Sequence, residues 1–133
     1  MATLDVWDAA AGQMVSVPRS AFNPCIFWND STTALGASAT FTGPSRDCDT
    51  AAGTQGVYSS FNAFARSDQA GTVRIEGSAN GTVWGALTSD IALAANTPTI
   101  LTVPVMTRFH RVVVVNGATA QTAFACNSSY TAA

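Results

Sequence analysis

Apolar and polar residues alternate along this chain in short runs punctuated by glycine, proline and asparagine, the period-two signature of half-buried strands. The run Thr72 to Ser78 is the clearest, with Val73 and Ile75 on one face and Thr72, Arg74 and Glu76 on the other. Ser67-Asp68-Gln69-Ala70-Gly71 supplies a turn before it. Asn80-Gly81 supplies one after it, because both residues tolerate the positive φ angles of a type I′ hairpin. Trp84 then stands where it closes the core over that hairpin, so Tyr58 to Trp84 reads as the central hairpin of the fold.

The same reading extends in both directions. Val57 to Arg66 is a strand with aromatic residues at Tyr58, Phe61 and Phe64, and Cys25-Ile26-Phe27-Trp28-Asn29 is a buried strand bounded by turn formers. Ala34 to Thr42 alternates Leu35, Ala37, Ala39 and Phe41 against Gly36, Ser38, Thr40 and Thr42. Gly43 to Gly53 has no periodicity and reads as a loop, where binding residues tend to sit. Downstream, Leu101, Val103 and Val105 share a face of a strand that Pro98 and Pro104 keep out of a central position. Phe109 to Val115 is apolar on both faces at its end, as expected of a central strand or of one touching another subunit. Asn116-Gly117 reads as a second hairpin turn leading to Gln121–Ser128, with Thr122, Phe124 and Cys126 inward.

Alternation is weaker near the start, where Leu4-Asp5-Val6-Trp7 and Met14-Val15-Ser16-Val17 flank an alanine run and Gly12. Residues 1–24 therefore read as an N-terminal arm or edge hairpin, and residues 25–133 as a β-sandwich domain. With about nine or ten short strands and no amphipathic helix, the expected class is all-β: a single antiparallel β-sandwich, jelly-roll-like, with an extended N-terminal arm.

Composition narrows the function classes. The 133 residues are 47% hydrophobic and only 11% charged, against roughly 25% charged in ordinary soluble domains. The surface must then be largely Ser, Thr, Asn, Gln and Ala, with part of it available for another protein to cover. All six basic residues are arginine. Lysine defends exposed strand edges, so its absence fits edges that are short, folded over or occupied by a partner; compositional drift in a GC-rich genome accounts for it equally well. A net charge of −2 argues against binding nucleic acid, which needs clustered positive charge. The start of the chain has neither a basic segment nor an apolar one, and no apolar run reaches the length of a membrane span. The expectation is synthesis and retention in a cytoplasm until assembly or release, with no membrane contact. Cys25, Cys48 and Cys126 cannot all pair within one chain and are expected to be reduced and mostly buried.

Candidate chemistry is sparse. His110 is the sole histidine, flanked by Arg108 and Arg111, which disfavour a protonated imidazole, and no nucleophile stands near it in the strand pattern; a structural or interface role is expected. Asp47-Cys48-Asp49 lacks the oxygen ligands of a calcium loop and the Cys and His partners of a zinc site, so it reads as a solvated turn. Glu76, the sole glutamate, shares a face with Arg74 and fits a cross-strand ion pair better than a paired-carboxylate glycosidase. Asn29, Asn80 and Asn127 each begin a glycosylation sequon, read as chance matches in a chain rich in Ser and Thr. Trp7, Trp28 and Trp84 could stack on sugar rings, although core packing is the commoner use of such residues. No metal or other cofactor is expected.

The runs Arg66 to Thr72 and Glu76 to Trp84, followed by Asn96-Thr97-Pro98, Val103-Pro104-Val105, Arg108 to Val112 and Asn116-Gly117, resemble small β-sandwich virion proteins of tailed bacteriophages, of the capsid decoration or cement type. The resemblance covers most of the chain from about Ala34 onward. It implies a non-enzymatic virion protein that binds the outer surface of the capsid, with the major capsid protein as partner and a homotrimer as its own assembly. Trp7 and Met14 in the arm, Arg46, Asp47 and Asp49 in the loop, and His110 and Arg111 are the candidate capsid- or subunit-interface residues. The alternative is a tail- or fibre-associated sandwich that recognises host-surface glycans through Trp28 or Trp84.

Overall fold

A computed structural model of the protein describes residues 3–8, 13–18, 25–49 and 58–132, with side chains from Cys25 onward. These residues form twelve strands and, among the described residues, no helix. In chain order they are β1 (Thr3–Asp8), β2 (Gln13–Pro18), β3 (Cys25–Ser31), β4 (Thr40–Thr42), β5 (Arg46–Asp47), β6 (Ser60–Ser67), β7 (Gly71–Ser78), β8 (Gly85–Ala86), β9 (Ile91–Leu93), β10 (Thr99–Pro104), β11 (Phe109–Asn116) and β12 (Phe124–Thr131).

All pairings are antiparallel. One sheet has the order β10-β6-β12-β3; the other runs β4-β11-β7-β8, with β5 also on β11 and β9 also on β7. β4 and β5 take successive stretches of β11, and β8 and β9 successive stretches of β7, so each pair fills one strand position. Counted this way there are eight positions; each successive one changes sheet except β7 and the β8/β9 position, which are neighbours in one sheet, and the first lies beside the last. That is a jelly roll, the double-sheet solution to burying one face of every strand. β1 and β2 form a separate hairpin, joined to neither sheet by strand pairing, in which Trp7 stands opposite Met14.

The inward phase of the strands fills the space between the sheets. Phe61, Ala63 and Ala65 of β6, Val73 and Ile75 of β7, Leu101 and Val103 of β10, Val112 and Val114 of β11, and Phe124, Cys126 and Tyr130 of β12 are all buried. The alternation read for Val73 and Ile75, and for Leu101, Val103 and Val105, matches the observed faces. β10 is an edge strand, as its prolines require, and β11 is central.

Several turns differ from the sequence reading. Asn80-Gly81 does not close a two-residue hairpin: Gly77 pairs with Gly85, and the intervening loop is held by Ser78 Oγ, which accepts from Asn80 N and Gly81 N, and by Asn80 Oδ1, which accepts from Thr82 N and Val83 N. Gly81 has a φ of +78°, but Asn80 does not reach positive φ. Asn116-Gly117 carries the chain from one sheet to the other, since β11 pairs with β7 while β12 pairs with β6; Thr122 consequently lies exposed outside β12. Most of the run Ala34 to Thr42 is irregular, with a positive φ at Ser38, and only β4 is strand. The aperiodic loop contains the short strand β5, paired to β11; its residues 50–53, like Val57 of the following strand, lie outside the described residues. In β6, Phe61 points inward but Phe64 outward. Of the cysteines, Cys126 is buried, Cys48 half-buried and Cys25 exposed, so the thiols are not mostly buried.

Candidate functional site

The charged side chains mostly pair with one another. On the outer face of the β11-bearing sheet, Glu76 accepts from Arg74 Nε at 2.9 Å and from Arg111 Nε at 2.8 Å, the latter across the β7–β11 register. Burial by itself would raise the Glu76 pKa, but the hydrogen bonds and charges of the two arginines outweigh it and hold the carboxyl below its ordinary value. The Arg111 guanidinium also lies 4.1 Å from the centre of the Trp84 ring. Trp84 therefore covers this ion pair on the outside of the sheet and does not close the core. The cross-strand ion pair expected for Glu76 is present.

Asp47 accepts two bonds from Arg108, at 3.0 Å from Nε and 2.9 Å from Nη2, and Asp49 stands 3.6 Å from the same guanidinium. The two carboxylates thus converge on one exposed arginine. Between them, burial and then the charges of Asp49 and Asp47 push the Cys48 thiol up, which keeps it protonated and unreactive at neutral pH. Arg46 pairs with the buried Asp30 and lies 4.3 Å from the centre of the Trp28 ring. It acts as an internal clasp between β5 and β3.

His110 is fully buried. Its Nδ1 lies 2.8 Å from the hydroxyl of Tyr130, its ring stacks on Phe61 at 5.0 Å, and burial lowers its pKa to about 4. It cannot meet a partner or a solvent-borne substrate, which corrects the interface role expected for it. Trp7 and Met14 are cross-strand neighbours in the β1–β2 hairpin, but their side chains lie outside the described residues.

A concave site that none of the charged side chains above lines lies on the outer face of the β10-β6-β12-β3 sheet. Two cross-strand rows build it, Ile100–Phe64–Asn127–Asn29 and Thr102–Asn62–Ser129–Phe27, each placing one residue from every strand on the solvent face. The depression has a volume of about 340 Å³. Phe27 and Ile100, both 70% exposed, rise at its two sides, and Phe64 is half-buried between. Its polar floor is held in place at one point: Asn62 donates to Ser129 Oγ and Thr131 Oγ1, both at 3.1 Å, and accepts from Thr102 Oγ1 at 3.0 Å. Asn29 and Asn127 stand directly opposite each other, and neither side-chain amide has a partner among the described residues. The register shift between Cys126 and Asn127 inserts Asp30 as a bulge in β3, which sets Asn29 opposite Asn127.

The pattern of alternation held a signal for this face. Phe27, Phe64 and Ile100 stand out of phase with the buried residues of their strands. Finding the site also required the strand order, because its four strands are scattered from residue 25 to residue 131.

Comparison with known proteins gives likenesses of fold and a family. The PBSX exported protein XepA superposes with a TM-score of 0.71 at 24% identity, over 97% of this chain and 44% of that one, a likeness of fold. This chain thus spans less than half of that protein's length. PirA gives a TM-score of 0.48 at 14% identity over 80% of this chain and 92% of that one, and a Tobacco streak virus coat protein 0.48 at 9% identity over 88% and 89%. A search of curated protein sequences finds no match. Residues 16–131 match the family described as "Uncharacterised protein YqxG N-terminal domain", and the chain belongs to that family.

Proposed function

We propose that this protein is a structural virion component that binds the outer surface of a phage capsid and stabilises the shell, working as a homotrimer. The observation that carries the reading is the inward use of its chemistry. Glu76, Asp30, Asp47 and Asp68 are all engaged by side chains or backbone of the same chain, and the one histidine is sealed in the core. Such a molecule acts through contact area, and shell stability comes from summed burial of surface between capsomers. The sparse charge, the absence of lysine and the resemblance to decoration-type phage β-sandwiches support the same reading. The β1–β2 hairpin and the Asp47–Asp49 turn are the surfaces assigned to the shell.

The test is binding of the purified protein to empty expanded capsids. Saturable binding at micromolar concentration with a raised shell melting temperature is the expected result, and no binding at that concentration overturns the assignment. The alternative, glycan recognition through Trp28 or Trp84, has less to support it, because the Arg46 guanidinium already lies over the first ring and the Arg111 guanidinium over the second.

A further inference from the structure

The geometry points to a second binding function: the depression on the outer face of the β10-β6-β12-β3 sheet is a subsite for an uncharged saccharide, held by Phe27, Phe64 and Ile100 on its apolar sides and by the facing amides of Asn29 and Asn127. The inference is separate from capsid binding and uses none of the residues assigned to it.

Three observations converge on this ligand class. First, the lining contains no ionisable side chain. On the whole outer face of these four strands only Arg66 is charged, two positions beyond Phe64 on β6 and outside the lining. An ionic ligand would meet no counter-charge inside the depression and would lose hydration on entering it. Second, the two unpartnered amides face each other across one register position. An amide offers two donors and two acceptor sites, so an opposed pair can donate to one hydroxyl and accept from its neighbour, the demand made by adjacent sugar hydroxyls. The nearby Asn62 has both donors and one acceptor site taken by three hydroxyls and acts as a fixed floor. Third, the apolar sides are the ring of Phe27 and the aliphatic chain of Ile100, both standing in solvent, and the half-buried ring of Phe64. Exposed apolar side chains around a concave site with a few convergent polar groups are the ordinary makeup of a small-ligand pocket, and 340 Å³ falls at the lower end of that range. β3 and β6 lie two strand spacings apart, about 10 Å, leaving room for one sugar ring between Phe27 and Phe64.

The test is a titration of the 15N-labelled full chain followed by its amide resonances, using maltotriose, cellotriose, chitotriose and lactose as neutral probes and sialyllactose as the charged one. At least one neutral probe should shift Phe27, Asn29, Phe64 and Asn127, with a Kd of about 1 mM or below. Phe27→Ala and Asn127→Ala should each weaken that binding about tenfold, while Val83→Ala, on the other side of the molecule, should bind as the wild type does. Phe27 is largely exposed and Asn127 lies on the surface, so both variants are expected to keep the wild-type spectrum; Asn29→Ala substitutes for any that does not. The inference is overturned if none of the neutral probes shifts these residues, or if only sialyllactose does. It is also overturned if raising the protein concentration alone shifts them, which would make the face a contact between copies. Both variants should still bind capsids, so failure here leaves the capsid assignment standing, and failure there leaves this one.

Discussion

Inside the sandwich the Tyr130 hydroxyl has two neighbours, His110 Nδ1 at 2.8 Å and the Arg46 carbonyl oxygen at 2.9 Å. The hydroxyl carries one hydrogen. Donating it to the carbonyl leaves the phenol oxygen to accept from His110, which fixes the Nδ1–H tautomer. Nε2 then faces the Thr107 hydroxyl at 3.4 Å, and that hydroxyl already donates to the Phe109 carbonyl oxygen at 3.0 Å. A second proton on the imidazole would put a charge among Phe61, Tyr130 and Thr107 with no carboxylate beside it, and burial accordingly lowers the pKa from 6.5 to about 4. Between those values the unfolded chain binds a proton that the folded chain refuses. Stability is therefore full above pH 6.5 and falls as the pH drops toward 4, by on the order of 3 kcal/mol. Urea unfolding across this interval should show that loss, and His110→Gln should remove most of the slope. A flat profile in the wild type would show that the imidazole is not held neutral. The carboxyls held low, Glu76 and Asp68, act in a separate window, since their contribution is present above their ordinary values near 4 and is lost only as the pH falls further.

At the scale of elements, the β7–β11 ladder is the spine of its sheet. Its outer face is fastened by Arg74, Glu76 and Arg111, and the two guanidinium groups, which outweigh the effect of burial, make the central carboxylate costly to neutralise. Glu76→Gln should leave two half-buried guanidinium groups without their shared anion and lower stability at pH 7 by about 1–3 kcal/mol, read from the shift in thermal midpoint. The same substitution should have little effect at a pH below the folded-state pKa of Glu76, where the wild-type carboxyl is itself neutral. Backbone closeness sets a second test on this ladder. A methyl on Gly71 would stand against the Val115 carbonyl oxygen, whereas one on Gly85 meets nothing within 4 Å. Gly71→Ala should cost about 1–3 kcal/mol, and Gly85→Ala should stay within about 0.5 kcal/mol of the wild type in the same denaturation assay. These strands were legible in the sequence because one buried face imposes a period of two on each. The turns were less so, because their geometry is set by partners distant in sequence. Asn116 looks like a hairpin residue, yet its amide donates to the carbonyls of Gly36 at 2.8 Å and Thr119 at 2.9 Å, bracing a crossing between sheets. Similarly, Asp68 reads as part of a local turn, but its carboxylate accepts from Thr122 N, Thr122 Oγ1 and Ala123 N of the β11–β12 connection.

For the molecule as a whole, a jelly roll leaves four edges, and this chain guards them without lysine. The β4, β5, β8 and β9 segments are only two or three residues long, and β10 ends in Pro104. Short strands and proline are both recognised defences against edge pairing. β3 differs: it has seven residues, no proline or lysine, and pairs on one side only, with β12. It is also the strand that follows the N-terminal arm, which forms its own hairpin and adds no strand to either sheet. The arm and the β3 edge together are thus the part of the fold best suited to joining copies of the chain. Among the described strands β1 and β2 pair only with each other, so removal of residues 1–24 should leave the sandwich folded with an unchanged urea midpoint. If the arm links subunits, the same truncation should reduce the solution mass measured by sedimentation equilibrium from three chains to one and abolish capsid binding. A truncated protein that keeps the full-length mass would move the subunit contact to the sandwich itself, with the β3 edge as the first place to introduce a lysine and repeat the measurement.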